Sequence, residues 1–193
     1  MELDSSNSSD ALLMNIFCHP TTLARSKVQG LMNLVVDGDP VFGFKPMIAM
    51  GGKKMDRTEI DLKIGDLLIE AKLTEYDFQR VPIRLVHQYR DLVDVITLEG
   101  LEQTDGTIES YQLIRGVLAV LASPGTRFCV ICDGRRPDLI ESWYRVMKAV
   151  RVAEVRSGLQ ILTWQELAAT LDSSVQEFLS RKYGIETPGL YNT

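Results

Sequence analysis

Thr58-Glu59-Ile60-Asp61-Leu62-Lys63-Ile64, Gly65-Asp66, Leu67-Leu68-Ile69-Glu70-Ala71-Lys72-Leu73 is the stretch that decides the fold. Two runs of alternating character around a two-residue Gly-x turn predict a β-hairpin, because side chains in a strand point alternately to its two faces. With Gly65-Asp66 in the turn, Ile64 faces Leu67, Leu62 faces Ile69, Asp61 faces Glu70 and Glu59 faces Lys72. One face then carries Ile60, Leu62, Ile64, Leu67, Ile69 and Ala71, all apolar. The other carries Glu59, Asp61, Lys63, Glu70 and Lys72, with Leu68. Carboxylates paired directly across two strands repel. Asp61 opposite Glu70 therefore calls for positive charge between them, either a divalent cation or Lys72 alone. Glu59 is placed to pair with Lys72 across the strands.

Before the hairpin, Leu12, Leu13, Ile16 and Phe17 recur at helical spacing from Asp10 and stop at His19-Pro20, with the Ser-rich Ser5–Ser9 available as a cap. Leu31–Val36 is an ambiguous apolar run, Asp37-Gly38-Asp39-Pro40 a turn, and Phe42–Met50 a strand that Pro46 restricts to an edge or a bulge. After the hairpin, apolar stripes predict helices over Ile83–Ile96 and Thr107–Ala122. Phe128–Cys132 reads as a buried strand, Pro137–Val150 as a helix entered through its proline, and Leu159–Thr163 as a strand. Gln165–Leu171 and Ser174–Tyr183 close the chain as short helices. The class is α/β.

The 193 residues, 45% of them apolar and 24% charged, suit one domain with a full core. No repeat or linker divides residues 1–193; residues 1–9 are expected to be flexible and 185–193 to form a tail. No apolar run reaches the roughly 18 residues that span a bilayer, and the acidic start does not resemble a secretion signal, so a soluble cytoplasmic protein with no membrane partner is expected.

A net charge of −5 argues against a surface coated for unspecific duplex binding. Local basic groups exist at Lys53-Lys54 with Arg57 and at Arg135-Arg136, which solvated loops explain better than a binding patch does. Cys129 and Cys132 form a C-x-x-C inside a strand, where their odd spacing sends the sulfurs to opposite faces and counts against a shared metal or redox pair. Two histidines supply neither a zinc site nor a clear Ser-His-Asp triad. Gly51-Gly52-Lys53-Lys54 lacks P-loop spacing and reads as a flexible turn, while Trp143 and Trp164 fit packing better than base stacking.

Phosphodiester hydrolysis needs a hard cation on oxygen ligands, a positioned water, and positive charge near the developing phosphorane. Asp61 and Glu70 meet the first need and Lys72 the others. These residues resemble the PD-(D/E)XK nuclease superfamily, whose motif is an acidic residue on one strand and (D/E)-x-K on the next: here Asp61 and Glu70-Ala71-Lys72. The superfamily's proline before the aspartate is replaced by Ile60. Ile64–Glu75 and Ser5–Phe17 also resemble a group of restriction-endonuclease-like bacterial proteins.

The resemblance implies a restriction-endonuclease-like α-β-β-β-α-β core, a mixed central sheet flanked by helices. It further implies a metal-dependent nuclease acting on DNA, with Mg²⁺ or Mn²⁺ held by Asp61, Glu70 and the Ala71 main-chain carbonyl. A further acidic residue on the first helix would be Asp10, and a glutamine on the helix after the hairpin would be Gln112, with Gln88 as its rival. Asp10 and Gln112 serve as capping or surface residues on the plainer reading. The competing expectation is a non-catalytic nucleic-acid- or protein-binding module that keeps the nuclease-like fold. The acidic charge allows a homodimer or a partner subunit.

Overall fold

A computed structural model describes residues 5–34 and 39–187. Asp37-Gly38 of the expected turn, residues 1–4 of the amino-terminal segment and 188–193 of the expected tail lie outside the described residues.

Helix α1 (Ser9–Phe17) starts where the Ser8 hydroxyl accepts the Ala11 amide at 3.2 Å, satisfying a first-turn donor that the helix leaves open. Helix α2 (Ser26–Met32) follows and takes up part of the ambiguous apolar run. Strand β1 (Val41–Phe44) stops before Pro46, and β2 (Ile48–Ala49) pairs instead with β3 (Met55–Asp56). The hairpin is β4 (Ile60–Ile64) and β5 (Leu67–Ala71), paired Leu62 to Ile69, Lys63 to Leu68 and Ile64 to Leu67 as its turn demands.

The segment from Ile83 to Ile96 is not one helix but two single turns, α3 (Ile83–Val86) and α4 (Leu92–Val95). Between them the backbone is diverted to β2 and the loop after it: Gly51 N donates to Gln88 O at 2.7 Å and Arg90 N to Ala49 O at 3.1 Å. The helix predicted from Thr107 begins four residues later, at α5 (Tyr111–Ala122). Its missing start belongs to a small sheet in which β6 (Val81–Pro82) and β7 (Gln103–Thr104) flank β8 (Thr107–Ile108). Asp105 and Gly106, both at positive φ, make the tight turn between β7 and β8, a pairing that Asp-Gly favours.

The chain continues as β9 (Arg127–Cys132), α6 (Pro137–Ala149) with proline in its first turn, α7 (Ala153–Ser157) and β10 (Leu159–Thr163). It ends in α8 (Trp164–Ala168), started by a Thr163–Glu166 capping box, and α9 (Ser173–Tyr183). Helix α7 carries no long periodic pattern and was not expected.

Five strands form the central sheet in the order β1-β4-β5-β9-β10. The β1–β4 and β4–β5 pairs are antiparallel, and β5–β9 and β9–β10 are parallel, so the sheet is mixed. Residues of α1, α8 and α9 cover one face and residues of α5 and α6 the other. Elements α1, β1, β4, β5, α5 and β9 give the expected α-β-β-β-α-β order. Helix α5 approaches β9 so closely that a Cβ added at Gly116 would lie 2.1 Å from the Phe128 ring. Cys129 and Cys132 pack in opposite cores, as their spacing requires.

One hairpin residue departs from its assigned face. Leu62, Ile64, Leu67, Ile69 and Ala71 pack in the α1 side of the sheet, whereas Ile60 joins Leu68 in the α5 side. Its partner strand does the same: Phe42, paired with Leu62, packs on the α1 side and Phe44, paired with Ile60, on the other. Gly43 between them takes φ +64°, which only glycine adopts without a Cβ penalty, and the alternation breaks there. Asp61 sits opposite that break.

Candidate functional site

Strand β5 alternates without fault, so Leu68, Glu70 and Lys72 face the α5 side of the sheet. Flanking strands and α5 bury them there: Glu70 is 1% exposed and Lys72 6%. The Lys72 ammonium lies 3.4 Å from Glu70 Oε1 and 5.8 Å from the centre of the Phe78 ring. Its main chain is held on both sides, its N donating to Ile131 O at 2.8 Å and its carbonyl accepting Trp164 Nε1 at 2.7 Å. These bonds fix the Lys72 backbone, while Glu70 and the Phe78 ring flank its ammonium.

Asp61 reaches across from β4, and its Oδ2 accepts the Ala71 amide at 2.7 Å. That bond sets its carboxylate beside the Glu70-Ala71-Lys72 segment. Gln112, on the first turn of α5, donates from Nε2 to Glu70 Oε1 at 2.7 Å, while its own Oε1 is buried without a hydrogen-bond partner. Asp61, Glu70, Lys72 and Gln112 are therefore brought together. Asp10 on α1 lies near enough for its charge to be felt by both Asp61 and Glu70, and it lines with Asp61 a cleft of about 280 Å³ that reaches Asp61 but not Glu70, Lys72 or Gln112.

Burial pushes the Asp61 carboxyl up, to about 8, and the Glu70 charge adds to the rise; the Ala71 amide and Lys72 oppose it. Burial also raises the Glu70 carboxyl, against the pull of Lys72 and Arg115. Two carboxyls that both resist ionisation in one crevice form a pair whose shared cost a bound cation would relieve. Among the described residues no group of three or more His, Cys, Asp and Glu side chains gathers into a full protein cage. Two carboxylates still fit Mg²⁺, which keeps several waters and takes few protein ligands, better than they fit zinc.

Other expectations resolve differently. Glu59 does not meet Lys72: it lies before β4, and its carboxylate is 3.1 Å from Lys45. Lys72 pairs with Glu70 on its own strand, because both point inward where Glu59 is exposed. Gln88 is exposed in the loop between α3 and α4, which leaves Gln112 as the glutamine at the site.

Arg115 was missed as a site residue. It is 3% exposed, one α5 turn beyond Gln112, and its Nη2 donates to the Glu59 carbonyl at 2.5 Å. A polar residue on an amphipathic helix carries no sequence signal of burial; only its i, i+3 spacing from Gln112 hints at a shared face. Tyr89 and Asp56 were missed as well. The Tyr89 hydroxyl lies 2.5 Å from Asp56 Oδ2 and 2.8 Å from the Tyr111 hydroxyl, tying β3 to the start of α5.

This topology, with an acidic residue on one strand of the hairpin and Glu-x-Lys on the next, defines a PD-(D/E)XK-like protein. Residues 1–184 match the family model described as Restriction Endonuclease associating with ARP, and the chain belongs to that family. No curated protein and no solved structure gives a match.

Proposed function

We propose that the chain is a divalent-metal-dependent nuclease that hydrolyses phosphodiester bonds of DNA. The observation that carries this reading is the convergence of Asp61, Glu70, Lys72 and Gln112, linked through the Ala71 amide and Glu70 Oε1. The family description, which speaks of a restriction endonuclease, supports it. Asp61 and Glu70, with the Ala71 carbonyl, would hold Mg²⁺ or Mn²⁺, and Asp10 would add charge from α1. The ion supplies Lewis-acid polarisation of a phosphoryl oxygen and a more acidic bound water.

The chain's own residues do the rest. Lys72, with its ammonium beside Glu70, would present a cation where negative charge develops and a donor that orients the attacking water. Gln112 holds the Glu70 carboxylate in place and has an acceptor oxygen to spare for that water. Asp61 lines one cleft and Gln112 another, and these are the openings through which substrate would approach the buried Glu70 and Lys72. The same family description speaks of association with ARP, and an acidic chain acting on DNA would be helped by a partner subunit or a second copy.

The test is calorimetric titration of Mg²⁺ and Mn²⁺ into the wild type and Asp61→Asn, with plasmid nicking on the same samples. Asparagine keeps an acceptor for the Ala71 amide and removes the charge. Metal binding and nicking that both vanish in the variant support the nuclease. Nicking that survives in Lys72→Ala removes the mechanism.

One observation favours a second reading, a non-catalytic nucleic-acid- or protein-binding module with the nuclease-like fold. Lys72 and Gln112 already engage the same oxygen of Glu70, and the described residues provide no three-sided cage. A wild type that takes up no metal even with DNA present decides for the module.

A further inference from the structure

Gln112 also lines a second cleft, of about 440 Å³. Lys45, Arg57, Arg115, Tyr111, Gln112 and Glu59 line it. Three cations against one carboxylate make it basic on a chain whose net charge is −5. The Glu59 carboxylate is met by Lys45 at 3.1 Å, which leaves Arg57 and Arg115 without a carboxylate neighbour within salt-bridge distance among the described residues.

Arg115 is the unusual member. Its guanidinium is buried, donates once to a main-chain carbonyl, packs 5.8 Å from the centre of the Tyr111 ring, and keeps its Nε without any hydrogen-bond partner. Burying a guanidinium is costly unless an anion and further acceptors compensate it. The charges of Asp56 and Glu70 reach it only from a distance. Arginine presents a planar fork of donors suited to phosphate oxygens.

We propose that this cleft is a phosphate-binding site, in which Arg115 at the base and Arg57 and Lys45 at the rim hold a phosphate group of a DNA strand. Gln112 lines the cleft and bonds Glu70, so a phosphate held here places the neighbouring phosphodiester towards Asp61 and Glu70. That placement rests on the nuclease reading; the binding itself does not. The phosphate is either internal to the strand or a 5′-terminal monoester.

The test is fluorescence anisotropy with the whole chain, in EDTA, on duplex oligonucleotides that differ only in carrying a 5′-phosphate or a 5′-hydroxyl. Arg57 and Lys45 are exposed, so Arg57→Gln and Lys45→Gln leave the fold intact. Each is expected to weaken binding about 3- to 10-fold at low salt and to flatten the slope of log K against log salt by about 0.9. Lys148→Gln, an exposed charge on α6, leaves both unchanged. A penalty confined to the 5′-phosphorylated duplex identifies a terminal phosphate, and an equal penalty on both identifies an internal one. Cleft variants that bind like the wild type, or a wild type that binds neither duplex, overturn the proposal. Binding that responds as expected in a protein that never nicks keeps the phosphate site and removes the catalytic reading.

Discussion

The two faces of strand β5 are built to different ends. Towards α1, α8 and α9 it presents Leu67, Ile69 and Ala71, followed by Leu73 just beyond the strand, and all pack in an apolar core. Towards α5 it presents Leu68, then Glu70 and Lys72, equally buried but charged. The same strand, with the same backbone pairing, thus stabilises the fold on one side and holds two desolvated charges on the other. Burial of apolar area contributes roughly 25 cal/mol per Å² on the first face, whereas desolvation costs several kcal/mol per ion on the second. On the nuclease reading, the charged face is kept for the cation and substrate it would bind.

The largest effect is expected from pH. The Asp61 and Glu70 carboxyls both have folded-state pKa values above their unfolded ones, Asp61 at about 8 against an ordinary 3.8. Between those values the unfolded chain has released protons that the folded one retains. The contribution to stability is therefore fully present below about pH 4 and is lost as pH rises through about 8. Metal-free protein unfolded in urea should lose several kcal/mol over that window relative to Asp61→Asn, in which this dependence is much reduced. Equal pH profiles for the two proteins would place the charge cost elsewhere.

Next comes the apolar face. Ile69→Ala removes a fully buried side chain between two strands and should cost about 2–5 kcal/mol, read as a lower denaturation midpoint with unchanged slope. Gly116→Ala should cost about 1–3 kcal/mol through overpacking against Phe128. It has a second consequence that Ile69→Ala lacks: shifting α5 moves Gln112 off Glu70, so nicking per folded molecule should fall as well. Nicking unchanged in Gly116→Ala would show that Gln112 is not needed where it stands.

How much of this was legible depended on whether local rules were enough. The hairpin register followed from Gly65-Asp66 and strict alternation, and the core order from helical and strand periods. That Asp61, Glu70 and Lys72 would lie together followed from the geometry two strands set, and that Gln112 would join them from the resemblance. The face change at Ile60 was not legible, since it arises in the partner strand at Gly43, through a conformation that a glycine permits but does not announce. The Asp105-Gly106 hairpin did carry a local signal, which the apolar stripe of the following helix obscured. Arg115 and the broken helix between Ile83 and Ile96 depend on contacts with distant residues, Glu59 and the β2 region, that no local pattern encodes.

The smallest expected change sharpens the contrast most. Replacing Glu70 and Lys72 together, as Glu70→Gln with Lys72→Met, removes both buried charges, keeps an acceptor for the Gln112 amide and preserves side-chain volume. Buried ion pairs exchanged for well-packed neutral groups are often neutral or stabilising. Stability should therefore stay within about 1 kcal/mol of the wild type or rise, while metal binding and nicking disappear. Lys72→Met alone should behave worse than the double variant, because it leaves Glu70 buried without its nearest cation. That ordering separates a pair retained for chemistry from a pair retained for the fold. If the double variant instead unfolds as readily as Ile69→Ala, the charged face contributes to stability as the apolar one does, and burial of Glu70 and Lys72 ceases to argue for a site.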